Sequence, residues 1–251
     1  MLTTLRAALP GRGASMPAET LERDVAVEPR ALARYSRVCG FTLRDELPPT
    51  YPHVLAFGLQ MELLARAPLG AVGVVHIANA ITQHRPLLLG EALSLRVGVS
   101  ELRPHRRGRV FDFLTSVTIG DELVWESTST NLKRGDGDET VRDDWAFEDP
   151  PVTAEWRLRD DLGRRYAGVS GDHNPIHLHG WAAKPFGFER AVVHGMWTKA
   201  RCLAALRLPD AFTAEVRFKR PVLLPSTVTF GEAGARFAVH GHLEGTLQPR
   251  I

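Results

Sequence analysis

The chain has 251 residues, 44% of them hydrophobic and 24% charged, a composition that excludes disordered, collagenous and coiled-coil proteins. Its 31 basic and 29 acidic side chains leave a formal net charge of +2, too close to balance to suggest a nucleic-acid partner. No stretch approaches the roughly 20 apolar residues of a membrane span. Two isolated cysteines, Cys39 and Cys202, form no disulfide framework and read as buried apolar side chains of a cytoplasmic protein.

In chain order, residues 1–21 read as a frayed leader, apolar but interrupted by Arg6. A short helical stretch then ends at Tyr35-Ser-Arg-Val-Cys-Gly-Phe41. A longer helix is expected from near Gly58 through Leu59, Leu63 and Leu64. The period then shifts to two, with Leu93, Leu95, Val97 and Val99 alternating along a strand. Phe111 and Phe113 lead to a hairpin turn at Gly120-Asp121 and a further strand ending near Thr130. Lys133 to Pro151 is polar and Gly-containing and closes on Asp149-Pro150-Pro151, so 133–151 reads as a linker between a unit at 22–132 and another at 152–251. In the second unit a short helix ends at Tyr166-Ala-Gly-Val-Ser-Gly-Asp172. A longer one starts near Gly195 with Met196, Ala200, Leu203 and Ala204 on one face, and Ala214, Val216 and Phe218 alternate along a strand.

The two units match at three collinear places. Tyr35–Phe41 parallels Tyr166–Asp172, Ala56–Met61 parallels Val193–Thr198, and His84–Gly90 parallels Lys219–Pro225, at offsets of 131, 137 and 135. Three short matches in the same order argue for a duplicated unit. A long helix followed by antiparallel strands, used twice, is α+β architecture.

The segment with chemistry in it is Tyr166-Ala-Gly-Val-Ser-Gly-Asp-His-Asn-Pro-Ile-His177. Pro175 fixes one backbone angle and keeps Asn174 out of helical conformation. The result is a stiff turn that offers Asp172 and His177, two groups able to hold a water and move protons near neutral pH. An arbitrary Gly-Asp-x-Asn-Pro would more often supply turn hydrogen bonds alone.

This pattern, followed by Ala182-Ala183 and His194-Gly195-Met196, resembles the hydratase motif of MaoC-like (R)-specific enoyl-CoA hydratases and dehydratases, which are hotdog-fold proteins. His179 departs from the family, which has an acidic residue there. The whole chain resembles the double-hotdog members of the group, in which an N-terminal hotdog has lost the catalytic segment. Here Phe41 aligns with Asp172, and the first unit has no Asn-Pro-x-His. The resemblance implies a pseudo-dimer of two hotdog units acting on 2-enoyl and (R)-3-hydroxyacyl thioesters of coenzyme A or acyl carrier protein, without a cofactor. It assigns Asp172 and His177 to activating the catalytic water. The Gly195 N–H, at the expected start of the long helix, goes to the oxyanion hole. Ser170, Asn174 and His194 are supporting residues; Lys184, Arg190 and Arg220 are candidate contacts to the thioester's phosphates. The first unit is expected to act as the built-in partner. Phe57, Leu59, Met61 and Leu63 are candidates for an acyl tunnel, although ordinary core is the better reading of that stripe. A homodimer of the double unit is left open.

Other signals are weaker. Arg103-Pro-His-Arg-Arg-Gly-Arg109 reads as a solvated hairpin turn ahead of a phosphate, carrier or nucleic-acid contact. His177, His179 and His194 raise the question of a metal, but no Cys or carboxylate completes a recognisable ligand spacing, so none is expected. Ser170 lacks the spacing of a nucleophile elbow. A hotdog thioesterase would need a carboxylate on the long helix, and Met196 to Leu206 has none. A non-catalytic acyl-thioester-binding subunit is disfavoured by the intact Asp172, Asn174 and His177.

Overall fold

The computed structural model describes residues 15–69 and 73–250, so the first fourteen residues of the expected leader lie outside the described residues. The rest of the leader reaches the body: Met16 is buried, and β1 (Leu21–Ala26) is a strand of the sheet.

The first half continues with α1 (Pro29–Cys39), α2 (Tyr51–Arg66), β2 (Val74–Gln83), β3 (Ala92–Val99), β4 (Arg103–His105), β5 (Gly108–Ile119) and β6 (Glu122–Arg134). The second half has β7 (Val152–Leu158), α3 (Leu162–Ser170), α4 (Pro175–Leu178), α5 (Gly180–Ala183), α6 (Gly195–Ala205), β8 (Phe212–Phe218), β9 (Ser226–Ala233), β10 (Arg236–Val239) and β11 (Leu243–Pro249). One antiparallel sheet runs β1-β3-β5-β6-β2-β8-β11-β10-β9-β7, with β4 paired to β5 off this path. Read outward from the β2–β8 seam, the two halves have the same order. Each wraps its sheet around one long helix, α2 or α6: the α+β unit used twice that the repeat implied, and the double hotdog that the family resemblance implied.

The local signals behave as their chemistry requires. Leu93, Leu95 and Val97 of β3, and Ala214 and Val216 of β8, are buried on alternate positions. Gly120-Asp121 turns β5 into β6, and Arg106-Arg107 turns β4 into β5, so the basic run is a hairpin. Helices α1 and α3 both end on a left-handed glycine, Gly40 (φ 86°) and Gly171 (φ 77°), a backbone that only glycine adopts cheaply. Tyr35 and Tyr166, buried on those helices, face each other with ring centroids 6.1 Å apart.

One expectation fails. Helix α2 begins at Tyr51 and not near Gly58, which is exposed in mid-helix. Pro52, in the first turn, has its φ pre-set for a helix and no N–H to lose there. The structural counterpart of His194-Gly195 at the start of α6 is therefore Thr50-Tyr51. The Tyr35 hydroxyl bonds Thr50 Oγ1 at 2.8 Å, much as the Tyr166 ring packs on His194 in the other half.

The seam is specific as well as continuous. Lys199 of α6 is fully buried and its Nζ donates to the Asn79 carbonyl (3.0 Å), Asn79 Oδ1 (2.5 Å) and the Ala214 carbonyl (2.9 Å), tying β2 to β8. Burial pulls the pKa of this amine well below the usual lysine range, while three oxygens satisfy its three donors. Beyond β6, which extends through Arg134, the connecting segment is pinned to the second half. The Trp145 indole donates to Glu244 (2.8 Å), and Arg217 lies 5.1 Å over its ring.

Candidate active site

The loop after α3 is held by its own short polar side chains. The Asp172 N–H donates to Ser170 Oγ (3.2 Å), and the Asn174 N–H to Asp172 Oδ1 (3.1 Å). Asn174, extended before Pro175 (φ −55°, ψ 123°), caps α4 by accepting from the Ile176 N–H at 3.4 Å. That single turn carries His177 back over Asp172. Its height is set by Gly163 on α3, where a Cβ would lie 1.9 Å from the His177 carbonyl oxygen. Only a residue without a side chain permits that approach.

The imidazoles are assigned by their partners. His177 Nδ1 is 2.6 Å from the Val192 carbonyl and must carry the proton, leaving a bare lone pair on Nε2, 4.0 Å from Asp172 Oδ2. His194 Nε2 donates to the Asp172 carbonyl at 3.0 Å and lies 3.8 Å from Asp172 Oδ2. The two rings stack with centroids 3.7 Å apart at 26°. Burial is the largest cause lowering both pKa values. For His177 the Asp172 charge opposes it; for His194 the neighbouring His177 adds to it. Both rings are thereby held neutral, and His177 presents an acceptor beside a carboxylate.

Asp172, His177 and His194 bring one ligand atom each within 4.8 Å of one another, so a carboxylate does join two histidines in space although the spacing gave no hint of it. The two imidazoles are stacked at 26°, and His194 Nε2 is already committed to a carbonyl.

Helix α6 starts beside this group. Its first intrahelical bond is from the Thr198 N–H to the His194 carbonyl, so the N–H groups of Gly195, Met196 and Trp197 precede the hydrogen-bonded ladder. A Cβ on Gly195 would come within 3.1 Å of the Phe218 ring, so a side chain at this position would crowd that ring. The first half closes the opposite side: Phe57 of α2 reaches within 4.0 Å of the Cβ position of Gly171. Among the four tunnel candidates, Leu59 and Leu63 are core, while Phe57 and Met61 are part-buried. Lys184 and Arg220 are exposed, and Arg190 donates to the Pro225 carbonyl at 2.6 Å. Sequence reasoning missed Gly163, Val192 and Thr50, because each acts through a tertiary contact that leaves no local pattern.

Among the described residues no helix is long and apolar enough to cross a membrane. The MaoC like domain family matches residues 146–234. The chain is 39% identical over 212 residues to 3-hydroxyacyl-thioester dehydratase X of Mycobacterium tuberculosis, covering 81% of this chain and 76% of that protein. A crystal structure of HtdX from Mycobacterium tuberculosis superposes with a TM-score of 0.81 at 35% identity, covering 92% of this chain and all of that one. A MaoC-like dehydratase of Phytophthora capsici shares the fold at 19% identity, with a TM-score of 0.74 over 94% of this chain and 96% of that one.

Proposed function

This chain belongs to the MaoC-like dehydratases, and from that premise we propose that it interconverts (R)-3-hydroxyacyl and trans-2-enoyl thioesters with Asp172 and His177 as its proton-handling pair. The observation that carries the assignment is the bare His177 Nε2 facing the Asp172 carboxylate at 4.0 Å, next to the start of α6.

In hydration, a water held by both groups gives one proton to His177 Nε2 and directs the other to Asp172. Its oxygen bonds the β-carbon as the double-bond electrons move toward the thioester carbonyl. The Gly195 N–H stabilises the charge that grows on the thioester oxygen, a contribution of about 2.7–4 kcal/mol for one such donor in a comparable site. His177 then delivers its proton to the α-carbon and returns to the neutral tautomer fixed by Val192. Dehydration is the same path reversed: His177 takes the α-proton and passes it to the departing hydroxyl. One water enters or leaves, and no electrons are exchanged with a cofactor.

Ser170 and Asn174 act by holding the loop, and His194 by packing against His177 and bonding the Asp172 backbone. Lys184, Arg190 and Arg220 remain our candidates for the phosphates of a coenzyme A or acyl-carrier thioester. A cytoplasmic location and a homodimer belong to the same proposal. The test is hydration of crotonyl-CoA by purified protein, followed as loss of enoyl absorbance, in wild type, Asp172→Asn and His177→Ala. Each variant is expected to lose at least about a hundredfold, the usual contribution of a positioned acid or base. Wild-type turnover in both would overturn the assignment. Release of free thiol from saturated acyl-CoA would favour the thioesterase reading, which the absence of any acidic side chain on α6 disfavours.

A further inference from the structure

One inward strand face of the first half is polar where its counterpart in the second is largely apolar. Along β6 the alternately buried residues after Trp125 are Ser127, Ser129 and Asn131. Along β11, the counterpart strand, the inward positions are Leu243, Gly245 and Leu247. Most of the polar side chains in this region satisfy one another: Asn79 bonds Ser127 (2.9 Å), Ser129 (3.0 Å) and Lys199, and Gln60 bonds Thr115 (3.1 Å).

Two do not. His53 on α2 and His76 on β2 each bury a ring nitrogen, Nδ1 and Nε2 respectively, with no hydrogen-bond partner among the described residues. Buried polar atoms are rarely left this way unless something else completes them. Their rings are nearly parallel (13°) with centroids 6.2 Å apart, too distant for face contact. Each stands behind an aromatic ring that touches the active site. His53 packs on Phe57 (6.5 Å), which meets Gly171 just before Asp172; His76 packs on Phe218 (5.0 Å), which meets Gly195.

Resting on the dehydratase reading, we propose that His53 and His76 form the polar inner end of the acyl pocket, and that this pocket selects acyl groups carrying a hydroxyl remote from the reacting carbons. The depth fixes which part of the thioester they meet. The pantetheine arm has to emerge toward its carrier, whereas His53 is 7% exposed and the His76 Nε2 atom is buried although its residue is only half-buried, which sets this pair with the acyl tail. The unpartnered nitrogens set the chemistry. A hydroxyl both donates and accepts, so it completes His53 Nδ1 and His76 Nε2 in either tautomer. Burial pushes His53 down to about 3 and His76 to about 4, so both rings are neutral near pH 7 and suit an uncharged hydroxyl. The first half, without catalytic residues of its own, would then have kept a role in choosing the substrate.

The test uses matched pairs of coenzyme A thioesters, butanoyl to octanoyl, with and without a terminal hydroxyl. Saturated pairs are read by calorimetric binding and 2-enoyl pairs by kcat/KM. In wild type the hydroxylated member is expected to win by about ten- to a hundredfold at one chain length, the range for a single buried hydroxyl partner. His76→Phe and His53→Phe should bring that ratio close to one, and His76→Gln, which keeps an acceptor, should restore part of it. If a phenylalanine variant does not fold, the wild-type ratio and His76→Gln decide. A wild-type preference for the plain chain at every length, or a ratio unmoved by either substitution, would overturn the proposal. Binding preference without turnover of any enoyl thioester would instead count against the dehydratase reading and leave the pocket standing.

Discussion

Gly163→Ala should disable the enzyme while barely changing what touches the substrate. The new Cβ would lie 1.9 Å from the His177 carbonyl oxygen, where ordinary contact begins at 3.4 Å, so α4 has to move by about 1.5 Å relative to α3. The contact is with backbone, and no side chain can swing aside. His177 is then carried away from Asp172 and from the Val192 carbonyl that fixes its tautomer. A misplacement of about 1 Å at a reacting group costs on the order of a hundredfold in rate, and overpacking of this kind costs about 1–3 kcal/mol of stability. Gly168 on the same helix is the control, because a Cβ there meets nothing within 4 Å. Gly168→Ala should keep full activity and gain about 0.5–1 kcal/mol from its lower unfolded-state entropy. Crotonyl-CoA hydration and thermal unfolding, measured on both variants, separate the cases. Wild-type kcat in Gly163→Ala would refute the claim that this close approach positions His177.

Other consequences are equally direct. Because burial holds His177 neutral below its ordinary value of 6.5, the acid limb of the hydration rate should fall below pH 6.5, when the base finally protonates; a limb at or above 6.5 would contradict the burial. His53 and His76 bind protons in the unfolded chain near pH 6.5 but in the folded one only near 3 and 4, so stability is full above pH 6.5 and declines as pH falls toward 4. At pH 5 each should cost about 2 kcal/mol relative to pH 7, readable as a shift in urea midpoint that His76→Phe reduces by about that one contribution. Lys199→Met leaves the Asn79 amide oxygen and two carbonyls without their buried donor and should cost about 3 kcal/mol in denaturant unfolding. The fragment from Thr153 onward exposes β8 along the whole seam, so it should not accumulate as soluble, active protein.

The candidate catalytic loop was legible in the sequence because its hydrogen bonding is local. Ser170, Asp172, Asn174 and Pro175 shape the turn through bonds spanning two residues, and such bonds recur wherever those residue types stand at that spacing. The duplication was legible for the same reason: the Tyr-to-Gly helix ends and the period-two strands are short-range patterns. The start of α2 was misjudged because an apolar match around Gly58 outweighed Pro52, a single residue whose backbone angle decides where a helix begins.

What the sequence determined by itself was therefore the repeated unit, the absence of an Asn-Pro-x-His segment from its first copy and the Asp172–His177 segment that we propose handles protons in the second. The tertiary structure decided the rest. It joined Val192 to His177, set Gly163 beneath it and brought Asp172 to two histidines that lie five and twenty-two residues away. It also turned His53 and His76, which belong to the half without a motif, toward the aromatic walls of the site. These contacts depend on how two sheets and two helices pack across a seam. Packing at that range is set by the sum of many buried surfaces, and no spacing along the chain encodes it.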